Sequence, residues 1–465
     1  MASHAPTHFL LTQPAKESTV SRTRKSPLAI RLSGELPPSP RHPATLQTIG
    51  GRRWPYAYLE HCHAVCGDRF TLYPLDMPPM VFLSDPQDIR EVLTGDTSEL
   101  HPGAGGHVIA PLIGERSFML LEEDEHAWGR KAVTPAFHRR MVAEQCAALS
   151  GLVEQAVASW PTGGPFALHP RIRALTIKVI LQIIFSDKHA GELASMQERL
   201  TRMLSITDSL LLQGPRLRYV PGWTRMWRRF LAERAEVNIL IHQLADERQA
   251  ATRQGEHGDL LDMLLTARNP DGSPMGTAQV RDNLMSMILA GHETTTGELA
   301  WAFQLLAHNP PAQARLREEL ESGGEEYLTA TLHETMRHRP VFAFAIPRAV
   351  VAPVQIGEWS YPPHVQLAAC TYLLHHRADL YPDPYSFRPE RFIGAAAQSR
   401  TWLPWGGGAK HCLGRHFAML EMQTILRHVI ARRVVRPANG RIERPRWRSA
   451  ILVPAHGGRV VLGRR

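Results

Sequence analysis

Cysteine is scarce in this chain, with five residues (Cys62, Cys66, Cys146, Cys370 and Cys412) among 465. So few thiols, so widely scattered, exclude a disulfide framework and fit a reducing compartment; Cys62 and Cys66 read as inert. Long apolar runs are missing as well. No window approaches the roughly 18 consecutive apolar residues of a membrane span, so no transmembrane anchor is expected and the chain reads as cytoplasmic. The start sets Lys16, Arg22, Arg24, Lys25 and Arg31 among Ser, Thr and Pro, without the continuous apolar stretch and small-residue cleavage site of a secretory signal. The formal net charge is +9, yet Lys and Arg form no sustained run, which argues against nucleic acid as a ligand. Among the partners a positive surface attracts, an acidic protein is preferred.

What is present is a mainly helical pattern with a small β region. Residues 1–44 read as a flexible, basic and Pro-rich tail, its last part (Leu36 to Pro43) extended because proline fixes φ and biases its predecessor away from helix. Residues 45–465 read as one domain, since no repeat or low-complexity linker divides them. Short β-prone runs at Phe70–Tyr73 and Met80–Leu83 precede Asp85-Pro86, a cap followed by a first-turn proline, and a helix to Leu93. From Glu122 to His338 the spacing is helical, with breaks at Pro161–Pro165, Gly214–Gly222, Asn269–Ser273 and Pro310-Pro311. Strand-like stretches return at Ala349–Ile356 and Ile451–Leu462.

The most informative segment is Trp405-Gly406-Gly407-Gly408-Ala409-Lys410-His411-Cys412-Leu413-Gly414, which runs into an apolar-periodic stretch from Phe417 to Val434. A cysteine thus stands at the mouth of a helix, where unpaired backbone N–H groups and the helix dipole favour the thiolate, the form that binds metal. The three glycines allow a tight turn, and Gly414, without a Cβ, would let the helix approach a flat cofactor. These residues resemble the haem-binding loop of the cytochrome P450 family, whose aromatic, Gly, Cys and Gly positions are held here by Trp405, Gly408, Cys412 and Gly414. Trp405 replaces the family's Phe. Lys410 stands where the family has Arg or His on a haem propionate, keeping the charge without the bidentate geometry.

Other segments resemble the family in the same order. Ala290-Gly291-His292-Glu293-Thr294-Thr295 lies in an apolar stretch from Leu284 to His308, similar to the family's central helix. There the resemblance implies Thr294 as hydrogen-bond donor to bound oxygen and Glu293 as proton gate, with Gly291 and Thr294 loosening the turn beside Ala290. Glu334 and Arg337, spaced i, i+3, together with Arg391 of Pro389-Glu390-Arg391-Phe392, match the family's buried Glu-x-x-Arg element. His126, Arg130 and Arg348 match its propionate-binding positions. Both His292-Glu293 and His333-Glu334 begin like a zinc-hydrolase His-Glu-x-x-His, but Thr296 and Arg337 occupy the final position and cannot replace imidazole.

The resemblance implies a single-domain P450 fold with haem b between the central helix and the cysteine-loop helix, Cys412 being the axial ligand of the iron. A thiolate opposite bound O2 favours O–O cleavage once two electrons and two protons arrive. It further implies a soluble, bacterial-type monooxygenase, expected as a monomer, that takes NAD(P)H-derived electrons from a ferredoxin and its reductase. Their acidic surfaces would meet Arg130, Lys131, Arg139, Arg140, Lys410 and Arg415. Substrate contacts are implied in His101–Met119, Met287–Ala290 and Val341–Ile346, where Val108, Ile109, Leu112, Phe342, Phe344 and Ile346 bring no charge. A lipophilic substrate follows, with a terpenoid of secondary metabolism ranked first. Two alternatives remain: a haem-thiolate isomerase, dehydratase or peroxygenase that needs no electron donor, and a non-catalytic haem sensor.

Overall fold

The computed structural model describes residues 36–137, 146–185, 190–210, 221–252, 259–394 and 401–464. Most of the expected tail, Arg139, Arg140 and much of the expected break at 214–222 lie outside them, as does the side chain of Cys146.

Two helices come first, α1 (Ala44–Arg53) and α2 (Pro55–Cys66). The sequence reading missed both, and α1 shows why: it buries only Gln47 and Gly50, so no apolar stripe marks an inner face. A five-stranded sheet follows in the order β1-β2-β8-β5-β3, built from Arg69–Leu72, Met80–Leu83, Gln366–Ala369, Arg348–Val350 and Leu100–His101. Strand β2 runs parallel to β8, Met80 opposite Gln366, and β5 returns antiparallel with Arg348 opposite Leu367. Helix α3 (Pro86–Thr94) starts as the sequence indicates: the Asp85 carboxylate accepts from Gln87 N and Asp88 N, and Pro86 needs no donor at the first position.

The helical body comprises α4 (Glu123–Val133), α5 (Cys146–Ala158), α6 (His169–Phe185), α7 (Ala190–Leu210), α8 (Pro221–Thr252), α9 (Leu260–Thr266), α10 (Thr277–Ala307), α11 (Pro310–Glu321), α12 (Glu326–His338) and α13 (Arg415–Arg432). The central helix is α10. It packs against α6, α12 and α13, with Trp301 and Phe303 fully buried and Trp301 Nε1 donating to Leu452 O at 2.9 Å. Each such side chain contributes roughly 1.5–3 kcal/mol through burial. Among the described residues no helix is long and apolar enough to cross a membrane.

Several boundaries differ from the sequence reading. The stretch expected at 349–356 is split into β5 and β6 (Val354–Ile356), the latter paired with β7 (Trp359–Tyr361), because Pro353 cannot continue a ladder. The stretch expected at 451–462 is β11 (Ile451–Pro454) and β12 (Arg459–Arg464), separated by Gly457 and Gly458 at φ +79° and +65°. Helix α13 ends at Arg432 because Arg433–Pro437 (β9) pairs with β12, and β12 also holds β4 (Pro165–Ala167). Strand β10 (Pro445–Arg448), paired with β11, was not foreseen.

Glu334 and Arg337 leave one face of α12 and form a closed network. Arg337 Nε and Nη2 donate to the two Glu334 oxygens at 2.7 and 2.8 Å, and Nη1 donates to His375 O at 2.8 Å. Arg388 N donates to Glu334 Oε1 at 2.9 Å, and Arg391 Nε stands 3.4 Å from the same oxygen. Both α12 side chains are fully buried. Arg391 is thus where the resemblance expects it.

Candidate cofactor site

The cysteine loop hangs between α3 and α13. Cys412 N donates to Trp405 O at 2.9 Å and His411 N to Gly408 O at 3.1 Å, closing the turn that presents the half-buried thiol just before α13. Gly408 is required twice: its φ is +64°, and a Cβ there would meet Leu93 O of α3 at 1.8 Å. Gly414 is different. Its φ is −84°, and the nearest protein atom to a Cβ would be on Phe137 at 4.0 Å, so neither backbone nor protein packing demands glycine. Trp405 packs against the main core. The expectation of a lowered thiol pKa does not hold for the protein alone: burial pushes the Cys412 thiol up, opposed by the Gly414 N–H, Arg130 and Arg415. Metal coordination would reverse that balance, because a ligating thiol is deprotonated outright.

Four basic residues converge nearby. His126 (α4) is buried, its Nε2 has no partner, and it lies 6.3 Å from the Phe118 ring. Burial, reinforced by Lys410, Arg130 and Arg348, brings its pKa down to about 4. Arg348, aimed inward by its register in β5, donates to Ile346 O at 2.7 Å and Gly407 O at 3.1 Å, and burial lowers its pKa to about 10. Arg130, one turn beyond His126, is also lowered by burial. Lys410 sends its ammonium to the carbonyl oxygens of Phe118, Met119 and Leu121 at 3.3, 3.1 and 2.7 Å, which strap the loop before α4 to the cysteine loop. Its pKa falls to about 8, through burial first and then through Arg348 and Arg130 against the pull of Glu122. Glu122, which the sequence reading missed, is the carboxylate opposing this set. A cavity of about 600 Å³ is lined by His126, Arg130, Lys131, Thr134, Pro135 and Ala409.

On α10 the buried surface is interrupted where the resemblance places oxygen. Ala290 is exposed and Thr294, between the buried Glu293 and Thr295, partly so, and Thr294 Oγ1 donates to Ala290 O at 2.9 Å. The helix stays continuous here, and Gly291 serves packing, since a Cβ would meet Ile180 of α6 at 2.8 Å; the expected loosening of the turn is not seen. Glu293 faces away from that opening. It is buried, with Arg173 Nη2 at 2.6 Å and His292 Nε2 at 3.2 Å from its Oε1. Burial alone would raise its pKa, but the His292 hydrogen bond and the Arg173 charge outweigh burial and hold it below the usual carboxylate range. Arg173 also lies 3.6 Å from Asp208 of α7, which meets Arg448 Nε at 3.3 Å. No sequence motif flags Arg173, Asp208 or Arg448, because three distant elements bring them together. Of the implied substrate residues, Val108 and Phe342 are exposed, Ile109, Phe344 and Ile346 are half-buried, and Leu112 is fully buried.

The helical body and the cysteine loop bring a thiol, Cys412, and four basic side chains, His126, Arg130, Arg348 and Lys410, to one region. The family model for cytochrome P450 matches residues 36–461, and the chain belongs to that family. Cytochrome P450 135B1 of Mycobacterium bovis is 33% identical over 433 residues, covering 91% of each chain. Cytochrome P450 135A1 of Mycobacterium tuberculosis is 30% identical over 442 residues, covering 94% of this chain and 97% of its own. Among solved structures, a cyanobacterial CYP120A1 with retinoic acid bound superposes with a TM-score of 0.79 at 21% identity, covering 93% of this chain and all of that one. The haem domain of cytochrome P450DA gives 0.78 at 20% identity, covering 93% and 98%. The family implies a haem cofactor and an oxidoreductase.

Proposed function

We propose that the chain is a haem-thiolate monooxygenase in which Cys412 ligates the iron of haem b and the propionates meet His126, Arg130 and Arg348. The observation that carries this reading is the basic set beside the cysteine loop: Arg348 is buried, Arg130 and Lys410 are partly so, and the buried His126 keeps an unpartnered Nε2, against the one carboxylate Glu122, an arrangement that a dianion would complete. The glycine at 414, unexplained by protein atoms, suits a flat ring lying against the start of α13. Trp405 covers the loop on the thiolate side, and Gly408 lets the loop pass under α3. Lys410 acts through its charge, since its donors already hold three carbonyl oxygens. The haem supplies oxygen binding and activation, and the balanced reaction is R–H + O2 + 2e⁻ + 2H⁺ → R–OH + H2O.

The chain's own residues manage protons and position. Thr294 donates a hydrogen bond in the open groove beside Ala290. Glu293 passes protons after letting go of Arg173, for which Asp208 offers a second carboxylate. Val108, Ile109, Phe342, Phe344 and Ile346 position a lipophilic substrate, a terpenoid by preference, and keep water away. Electrons come from a ferredoxin and its reductase approaching Arg130, Lys131, Lys410 and Arg415 on a soluble, cytoplasmic monomer. The domain takes in residues 36–464 rather than beginning at 45, since Thr71 N donates to Pro38 O at 2.9 Å and α1 already spans Ala44–Arg53.

The test is reconstitution with a surrogate ferredoxin, its reductase and NAD(P)H against a panel of lipophilic compounds. Substrate-dependent loss of O2 and NAD(P)H in equal amounts is expected, with Thr294→Ala diverting most of the electrons to hydrogen peroxide. Turnover without any electron donor would favour the isomerase, dehydratase or peroxygenase reading, and gas binding with no turnover would favour a sensor.

A further inference from the structure

Glu122, the carboxylate that opposes the basic set, also holds a segment outside that set. It stands just before α4, where a side chain commonly caps the helix, yet it makes no capping hydrogen bond. Its Oε1 accepts instead from Ala104 N at 2.6 Å, and His101 Nδ1 lies 4.0 Å from the same oxygen. Its Oε2 is buried and has no hydrogen-bond partner among the described residues, so the Ala104 amide is the donor that keeps this side chain in place.

The turn it holds is glycine-rich for reasons of space. A Cβ at Gly103 would meet Leu120 O at 2.3 Å and Glu122 Oε1 at 2.8 Å, and one at Gly105 would meet Pro347 O at 1.9 Å. The turn is thus pressed against two stretches of backbone, and both are tethered to the basic set. Lys410 holds the carbonyl oxygens of Phe118, Met119 and Leu121, and Arg348 holds that of Ile346. The short helical pieces His107–Ile109 and Ala110–Ile113 follow at once, so Val108, Ile109 and Leu112 hang from a segment whose start is fastened by one carboxylate. We propose that Glu122 is a positioning residue for the substrate side: by holding Ala104 it sets the place of residues 101–113 and with it the fit of bulky apolar ligands, while small ligands of the iron are indifferent to it. This rests on the haem reading above and on the assignment of 101–119 to substrate contact.

The test titrates the full-length haem-loaded protein and its Glu122→Ala, Glu122→Asp and Glu122→Gln variants with two probes that ligate haem iron, imidazole and phenylimidazole, followed by visible spectra. Imidazole reports access to the iron alone, whereas the added phenyl ring must also fit the segment beside it. Loss of a hydrogen bond to a charged acceptor should weaken phenylimidazole about tenfold in Glu122→Ala and leave imidazole within about twofold. Glu122→Asp keeps the charge but withdraws the oxygen, and should behave like Glu122→Ala. Glu122→Gln keeps an acceptor for Ala104 without the charge, and should bind phenylimidazole within about threefold of the parent. Hydrogen exchange at Ala104 should quicken in the Ala and Asp variants and not in the Gln variant. Equal weakening of both probes, or of neither, would overturn the proposal. A Gln variant as impaired as the Ala variant would overturn it too, since the charge toward Arg348 and Lys410 would then be what Glu122 contributes. If Glu122→Ala fails to take up haem, the Asp and Gln variants carry the same comparison. A parent whose iron binds neither probe would sink the haem reading, and this inference with it.

Discussion

Two clusters of buried charge lie within this fold, and they are built on opposite principles. Around Glu334 and Arg337 the carboxylate is met on both oxygens: Arg337 holds each of them and a carbonyl besides, Arg388 N donates to one, Arg391 adds its charge at 3.4 Å, and both α12 side chains are fully buried. Around His126, Arg130, Arg348 and Lys410 the set is open: the basic groups depress the pKa values of His126 and Lys410, His126 Nε2 has no partner among the described residues, and the opposing pull comes from Glu122 and, on Arg130, from Cys412. A network that satisfies itself is architecture. The first cluster is a brace for α12, and the second is, in the function proposed above, the seat of a dianion.

The largest effect expected from breaking this contrast is at the closed cluster. Arg337→Ala leaves Glu334 buried without its main partner and should cost about 3–5 kcal/mol, seen as loss of folded protein or a steep fall in Tm with or without haem. Next comes a pair of glycines. Gly408→Ala combines positive φ with a clash on Leu93 O and should destabilise the apoprotein by more than about 2 kcal/mol. Gly414→Ala should leave apoprotein stability within about 0.5 kcal/mol yet impair haem uptake. Equal apoprotein destabilisation by both would show that Gly414 serves protein packing after all.

At the open cluster, Arg348→Ala should speed haem loss to an apomyoglobin acceptor about 10- to 100-fold, as judged from the loss of one charged hydrogen-bond partner. Apoprotein Tm should hold or rise, because a buried cation is removed. The smallest effect is in pH. The folded pKa of His126 near 4 lies below its unfolded value near 6.5, so its contribution is fully present above about pH 6.5 and is lost as pH falls through about 4, amounting to about 1–2 kcal/mol after allowance for screening. Bound propionates would raise that pKa, so a histidine NMR titration should show His126 titrating higher in the haem-loaded protein than in the apoprotein.

Local chemistry explains which parts were legible in advance. Asp85-Pro86 announces the start of α3 because cap and first-turn proline are adjacent in sequence, and the cysteine loop, the Glu-x-x-Arg pair and the core of α10 likewise sit in short contiguous motifs. The apolar run from Leu284 leaves out the polar first turns of α10, Gln279, Arg281, Asp282 and Asn283, which fall within the stretch read as helical after the break at 269–273. Helix α1 was missed because its apolar residues face outward, and β9 because its pairing with β12 is a long-range event that overrides the helical continuation of α13. At the candidate site, two engagements of the expected residues were not readable in the sequence. The sequence does not say that Glu293 is already engaged by Arg173, nor that Lys410 spends its donors on three carbonyls, since both depend on partners far along the chain.

The most direct test of the central claim is the visible spectrum of the dithionite-reduced protein under carbon monoxide, beside that of Cys412→Ala. A red-shifted, thiolate-type Soret band in the parent, lost in the variant, is the predicted result. A band typical of histidine-ligated haem in both proteins, or no haem in the parent, would contradict it.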